Sequence, residues 1–165
     1  YFGQELFNAF GKLQAGEELT ELEAASVAAM NKSREALNVA DVVVFAFPLW
    51  NQTIPAVLQT FIDYTYGAGY SFKYDENGQL VSLLTDKKYI VLNARGGFYS
   101  EGPAAAMEMA VNYINNVVGG VYGMEKFAEV IIEGHAADRE NAENIIAEGL
   151  EKVKAAAQKL QTVIA

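Results

Sequence analysis

Several residue types are missing or scarce in this 165-residue chain, and each scarcity excludes a kind of chemistry. The chain has no cysteine, which excludes disulfides, thiolate metal ligands and a cysteine nucleophile. Histidine occurs once, at His135, and we expect it to be a solvated loop residue. Basic residues are outnumbered, with 12 Lys and Arg against 21 Asp and Glu and a net charge of -9. Such a surface repels phosphate backbones, so we expect no nucleic-acid partner.

Long apolar runs are also absent, although hydrophobic residues make up 52% of the chain. The apolar runs are shorter than the roughly 20 residues that a membrane-spanning helix needs, so we expect no membrane partner. The length and composition suit a single domain over residues 1–165 with a substantial core. The absence of cysteine fits a reducing compartment, and we expect a cytoplasmic protein.

One segment predicts both a fold class and a ligand site. The nearly unbroken apolar run at residues 42–47 stops at Pro48, which is typical of a buried parallel strand. Pro55 then suits the first turn of a following helix. In open α/β sheets, ligands bind outside the carboxyl ends of such strands. The indole of Trp50 and the amide of Asn51 lie in this loop, so we expect a planar ligand that forms hydrogen bonds.

The remaining chain alternates between helical and strand patterns. The apolar periodicity predicts helices at residues 2–14, 20–38, 54–65 and 103–118, strands at 89–93 and 127–132, and a long final helix capped by Asp138. Val57 is expected to face inward, and Glu108 to be an ordinary residue of a helix face. Asn77-Gly78 within an alternating stretch predicts a β-hairpin.

This order of elements predicts an α/β fold with a parallel sheet. Three core strands are few for a doubly wound sheet. The chain also starts at Tyr1, inside an amphipathic pattern, rather than at methionine. We therefore expect that N-terminal strands of the natural protein are missing from this sequence.

A second strand end, at residues 94–97, pairs with the first as a candidate site. If the two strands are parallel neighbours, both loops open at the same edge of the sheet. Glycines at 96 and 97 let a ligand approach the backbone closely. The two loops together suit a flat heterocycle such as a flavin, whose reduced form backbone N–H groups would stabilise. For single residues the alternatives stay open: Trp50 as a core or interface aromatic, Asn51 as a turn residue, and Arg95 as a solvated or ion-paired side chain.

Three motifs, in this order, resemble those of a known family. They are Pro-Leu-Trp-Asn-Gln-Thr-Ile-Pro at 48–55, Ala-Gly-Tyr-Ser-Phe-Lys-Tyr at 68–74 and Arg-Gly-Gly-Phe-Tyr at 95–99. The chain thereby resembles the FMN-dependent NADH azoreductases, a flavodoxin-like family also described as quinone reductases. The resemblance covers nearly the whole chain. It implies a flavodoxin-like, doubly wound parallel sheet in a three-layer α/β/α arrangement, with a β-hairpin excursion.

The resemblance also implies a set of site residues. FMN would contact two loops, through Pro48, Leu49, Trp50, Asn51, Gln52, Ala94, Arg95, Gly96, Gly97 and Tyr99. Ala94 replaces the serine of many members, which removes a side-chain hydrogen bond but leaves the backbone contacts. Tyr74 would shape the substrate pocket, with a hairpin residue packing across strands as the alternative. No metal ligand and no catalytic acid, base or nucleophile is implied. The serine-containing loop that grips the FMN phosphate in the family has no counterpart here.

The implied activity is a ping-pong transfer of electrons from NADH, through FMN, to a quinone or an azo compound. The resemblance further implies a homodimer with active sites at the interface. The choice between NADH and NADPH, and the physiological acceptor, stay open. Two other functions stay open as well: a non-enzymatic flavodoxin-like electron carrier or flavin-binding module, and an α/β domain whose ligand site has decayed.

Overall fold

The computed structural model describes residues 2–164. Their contacts group into two compact units, one formed by Tyr1–Asp41 with Ala56–Leu83 and one by Val42–Pro55 with Leu84–Ala165. The single domain expected over residues 1–165 stays a prediction. Among the described residues, no helix combines the length and the apolar character needed to cross a bilayer.

The first unit contains three helices. Helix α1 spans Gln4–Ala15, and α2 spans Glu21–Val39. Helix α2 begins at a capping box, in which the Thr20 hydroxyl accepts the Glu23 N–H and the Glu23 carboxylate accepts the Thr20 N–H. Helix α3 spans Ala56–Thr65. All three helices confirm the predicted elements to within two residues at each end.

The buried face of α3 differs from the expected one. Ile62 and Tyr64 are buried, whereas Val57 is 81% exposed, so the expectation that Val57 faces inward is wrong. The reason is position along the helix: the buried residues of α3 begin in its second half, and Val57 lies in its first turn. Tyr64 joins a hydrophobic cluster with Leu6 of α1 and Met30 of α2.

The predicted hairpin is also part of this unit. Strand β2, Phe72–Tyr74, pairs antiparallel with β3, Leu80–Ser82. In the connecting turn the Asp75 carboxylate accepts the N–H groups of Asn77 and Gln79, and Gly78 takes a φ of +75°. The turn chemistry of Asn77-Gly78 therefore confirms the hairpin.

The second unit is built on a three-stranded parallel sheet. Its strands are β1, Val42–Pro48, β4, Lys88–Arg95, and β5, Glu125–Glu133, in the order β1-β4-β5. Pro48 lies opposite Ala94, and Arg95 lies opposite Glu133. All three predicted core strands are confirmed, and their carboxyl ends lie at one edge of the sheet.

The prediction of one α-helix at residues 103–118 is wrong, both in where the helix begins and in its being continuous. The segment instead forms a 3₁₀ turn at Ala105–Met107, a short helix α4 at Val111–Ile114 and a π-helical turn at Asn115–Val121. Glu108 causes the interruption, because its backbone is extended and its carboxylate accepts the N–H groups that open α4. Glu108 is 7% exposed, so it is not an ordinary residue of a helix face.

The final helix α5 spans Ala142–Ile164 and packs on β5. The Asp138 carboxylate accepts the N–H of Asn141, the residue before the helix, at 3.3 Å. Asp138 therefore shapes the turn that leads into α5 and is not its capping residue, contrary to the prediction. A Cβ at Gly149 of α5 would lie 2.5 Å from the Ile132 side chain, so glycine allows the close packing of helix and strand.

Candidate functional site

The two loops predicted to form a site do lie side by side in the second unit. The N–H of Leu49, just after β1, donates to the carbonyl oxygen of Ala94 at the end of β4 at 3.0 Å. Residues 48–52 and 94–99 therefore share the carboxyl edge of the sheet. The parallel pairing of β1 and β4 is the reason, since it brings both strand ends to the same edge.

The first loop makes a two-residue reversal after β1. Trp50 and Thr53 exchange backbone hydrogen bonds of 3.1 and 3.0 Å. Between them Asn51 and Gln52 both have a left-handed backbone, with φ of +50° and +68°. Asparagine tolerates this conformation better than glutamine does, so Gln52 is the strained residue. The carbonyl oxygen of Gln52 accepts the N–H of Met109 at 2.9 Å, which holds the turn in place.

The turn leaves the Trp50 indole 60% exposed. A core role for this tryptophan is therefore excluded, and a ligand contact or an interface contact stays open. The two positions after it, Asn51 and Gln52, form the turn, so Asn51 does have the turn-forming role that was considered as an alternative. That role leaves its backbone N–H available.

Unpaired backbone donors are the main chemical feature of the two loops. Among residues 2–164, the N–H groups of Asn51, Gln52, Gly96, Gly97 and Phe98 have no protein acceptor. These residues are exposed or half-buried, so their N–H groups can bind water or a ligand, and two neighbouring loops with such donors suit a ligand rich in hydrogen-bond acceptors. A Cβ at Gly97 would lie 3.0 Å from the Tyr99 ring, so any other residue there would require that ring to shift.

The Arg95 side chain points into the protein and is ion-paired. It is 1% exposed; its Nε donates to Glu133 Oε2 at 2.9 Å, and its Nη2 donates to Ser100 Oγ at 2.7 Å. Its Nη1 lies 3.5 Å from Glu108 Oε1, an ion-pair distance, although Nη1 donates no hydrogen bond within the described residues. The ion-paired alternative for Arg95 is thus confirmed, and its candidate contact with a ligand is through the backbone.

Glu133, at the end of β5, was not identified from the sequence. Its Oε2 accepts the N–H groups of Tyr99 and Ser100 at 2.9 and 3.1 Å, in addition to Arg95 Nε. Burial pushes the pKa of Glu133 upward, but the hydrogen bonds from Tyr99, Ser100 and Arg95 outweigh burial and hold that pKa below its ordinary value. The signal available in the sequence was a glutamate at the end of the third strand, level with Arg95.

The loop after β5 is tied to the glycine loop as well. Gly134 N–H donates to the Arg95 carbonyl oxygen at 3.2 Å, and Ala136 N–H donates to the Gly96 carbonyl oxygen at 3.0 Å. His135 lies between them, half-buried, and its Nδ1 is buried without a hydrogen-bond partner among the described residues. The expectation of a solvated His135 is wrong for that nitrogen.

The remaining predicted residues lie where the strands and the hairpin place them. Ala94 is exposed at the strand end, and the Tyr99 ring centroid lies 5.8 Å from the Arg95 guanidinium carbon. Tyr74 belongs to the other unit, on β2, and is 61% exposed. Its ring packs edge-on against Phe72 at 5.7 Å, so the hairpin-packing alternative and the pocket role both stay open.

Comparisons with known proteins agree with this architecture. The family described as having the flavodoxin-like fold matches residues 2–157. FMN-dependent NADH:quinone oxidoreductase 3 of Bacillus cereus is 50% identical over 159 residues, which are 96% of this chain and 76% of that protein.

Two solved structures are similar to this chain. An azoreductase from Bacillus anthracis str. Sterne is 49% identical, with a TM-score of 0.84 over 96% of this chain and 76% of that one. An FMN-dependent NADH-azoreductase from Bacillus anthracis str. Ames Ancestor, solved in complex with FMN, is 27% identical, with a TM-score of 0.80 over 95% of this chain and 74% of that one. This chain therefore belongs to the flavodoxin-like family that includes the FMN-dependent NADH:quinone oxidoreductases and azoreductases.

Proposed function

We propose that this chain is an FMN-dependent NADH:quinone oxidoreductase that also reduces azo compounds. We further propose that FMN binds against the two neighbouring loops, residues 48–52 and 94–99. The observation that carries the proposal is the set of unpaired backbone donors on those loops, at the ligand-binding edge of a parallel sheet. The enzymatic reading is favoured over a plain electron carrier because relatives of 45–50% identity are named as NADH:quinone oxidoreductases.

The residues present fit a flavin ring. Its pyrimidine edge carries oxygen and nitrogen acceptors, which match the N–H groups of Gly96, Gly97 and Phe98. The exposed indole of Trp50 offers an apolar face for a planar ligand. When bound, FMN supplies the redox chemistry, accepting hydride from NADH and passing two electrons to a quinone or an azo compound. The protein then needs no nucleophile and no general acid in these loops.

The protein's own contribution is orientation and electrostatics. The donors of the glycine loop are fixed by the backbone, so they need no reorganisation when negative charge develops on a ligand beside them. Arg95, the last residue of β4 before this loop, is ion-paired with both Glu133 and Glu108. We also propose that Pro48, Leu49 and Tyr99 line the cofactor. The hairpin residue Tyr74 is our candidate for the substrate pocket.

We also propose a homodimer with the active sites at its interface, and a cytoplasmic location. The support for an interface is the exposure of Trp50 at 60%, Phe98 at 51% and Met109 at 51%. Aromatic residues and methionine are enriched in protein–protein interfaces. The oligomeric state follows from the molar mass measured by light scattering, and a monomer would contradict the interface proposal.

Steady-state oxidation of NADH tests the activity. With added FMN and either menadione or methyl red as acceptor, we expect turnover that depends on both FMN and the acceptor. Stoichiometric FMN binding without NADH-dependent turnover would instead support the electron carrier. Failure to bind FMN, seen as a lack of flavin absorbance in the purified protein, would support the ligand-free domain.

Trp50→Ala tests the placement of the first loop. We expect weaker FMN binding and slower menadione reduction, because the indole face is lost while the two-residue turn is made by the next residues. Leu150→Ala, which truncates another exposed apolar side chain on α5, is the matched control. Unchanged FMN affinity and unchanged turnover in Trp50→Ala would show that this loop does not contact the cofactor.

A further inference from the structure

We propose that Glu133 is a positioning residue of the flavin site, because its carboxylate closes the loop that carries the N–H donors of residues 96–98. The inference rests on the proposed function insofar as those donors serve FMN. Its structural part, the anchoring of the loop by one carboxylate, is independent of FMN and can be tested on the flavin-free protein.

Glu133 contacts residues on both sides of the donor segment, residues 96–98. Glu133 Oε2 contacts the side chain of Arg95, the residue before the segment, at 2.9 Å. The same oxygen accepts the backbone N–H groups of Tyr99 and Ser100, the residues after it, at 2.9 and 3.1 Å. One atom on β5 therefore holds the start and the end of the loop together. The three N–H groups between these points have no acceptor among residues 2–164.

The charge of Glu133 is needed for this arrangement. Three N–H donors converge on a single oxygen, and one of them belongs to a guanidinium group that is 1% exposed. Hydrogen bonds to an ionised acceptor are about twice as strong as neutral ones. A glutamine carbonyl accepts fewer and weaker hydrogen bonds, and its NH₂ group repels donors. Substitution by glutamine should therefore release the backbone N–H groups of Tyr99 and Ser100, while Arg95 keeps Glu108 and Ser100 as partners.

Three roles for Glu133 predict different results for the midpoint potential of bound FMN. If Glu133 positions the donors, its loss misaligns them. The binding of the reduced, more negative flavin then weakens more than the binding of the oxidised flavin, so the potential falls. If Glu133 acts only as a nearby negative charge, its removal favours the reduced flavin and the potential rises. If Glu133 only stabilises the fold, the protein loses stability and the potential of correctly folded protein stays unchanged.

The experiment compares Glu133→Gln with Glu129→Gln. Glu129 is the matched control because it lies on the same strand and is also hydrogen-bonded, to Lys126 and Asn115, whereas no hydrogen bond joins it to the loop among the described residues. Three quantities are measured: amide hydrogen exchange at Tyr99 and Ser100 without flavin, the FMN dissociation constant from flavin fluorescence, and the midpoint potential.

For Glu133→Gln we expect exchange at the two amides to become at least about tenfold faster and FMN to bind about tenfold more weakly. Each tenfold loss of affinity for the reduced flavin alone lowers the two-electron potential by about 30 mV. Glu129→Gln should leave exchange at both amides unchanged and should not lower the potential. Unchanged exchange at both amides, or a potential that rises or stays constant in a variant that still binds FMN, would overturn the proposal.

Glu133→Asp keeps the experiment decisive if the glutamine variant does not fold. It retains the charge beside Arg95 but is one methylene shorter, so it cannot reach Arg95 and both backbone amides together. We expect faster exchange at Tyr99 and Ser100 and weaker FMN binding; protection and affinity equal to those of the original protein would refute a positioning role. If the original protein itself binds no FMN, the proposed function fails, while the exchange data still decide whether Glu133 anchors the loop.

Discussion

Gln52→Gly tests whether the turn after β1 stores backbone strain. Gln52 has a φ of +68°, which a side chain with a Cβ disfavours, and it is one of two consecutive non-glycine residues in this region. The left-handed conformation costs a typical residue about 1–2 kcal/mol. Glycine avoids that cost but loses about 0.5–1 kcal/mol more conformational entropy on folding. The difference predicts that Gln52→Gly raises the free energy of unfolding by about 0.5–1 kcal/mol.

Urea denaturation measures this change, provided that the slope of the transition stays constant between variants. Gln52→Ala is the control, because alanine keeps the Cβ and the conformational penalty and should give no gain. Asn51→Gly should gain less than Gln52→Gly, since asparagine tolerates a φ of +50° at lower cost. If Gln52→Gly is no more stable than Gln52→Ala, the turn is not strained and the reasoning fails.

Three further predictions concern packing, capping and pH. Gly119→Ala places a Cβ 2.9 Å from the hydroxyl of the buried Tyr89 and should destabilise the protein by about 1–3 kcal/mol in urea denaturation, whereas Gly120→Ala, with open space around it, should not. Thr20→Ala removes the capping hydroxyl of α2 and should cost about 1 kcal/mol in the same assay; no change would mean that the cap is dispensable. Since the pKa of Glu133 is lowered from 4.5, its stabilisation is complete above that pH and is lost as the pH falls through the folded-state pKa. The stability difference from Glu133→Gln should therefore stay constant near neutral pH and shrink below about pH 4.5; a difference that grows on acidification would contradict this sign.

Much of the fold could be predicted because its signals are local. The apolar run at residues 42–47, the Asn77-Gly78 turn and the apolar periodicity of residues 20–38 are local features of the chain, and each predicted the element that is found. The prediction of a continuous helix at 103–118 was wrong for a local reason that hydrophobic periodicity does not show. There, the Glu108 side chain bonds backbone N–H groups ahead of it and restarts the helix at Val111.

The sequence identified the two loops of the candidate site but not the residue that anchors one of them. Trp50, Asn51 and the glycines at 96 and 97 follow strand ends, and in parallel sheets strand ends collect at one edge. Glu133 lies more than thirty residues further along the chain than Arg95, and its place after the third predicted strand does not by itself identify Arg95 as its partner. Its role depends on the sheet register, which places Arg95 opposite Glu133.

The sequence by itself thus determined which segments become strands and helices, and which two loops carry the candidate site. These follow from hydrophobic periodicity and turn residues, which are short-range properties of the chain. Only the tertiary structure decided what the side chains in and behind those loops do. It buried the Arg95 guanidinium between two carboxylates, left the backbone N–H groups of residues 96–98 without an acceptor among the described residues, and exposed the Trp50 indole. The reason is that strand pairing brings together residues that are far apart in the chain. A buried charge needs an ionic partner, and the sheet register decides which residue lies close enough to be that partner.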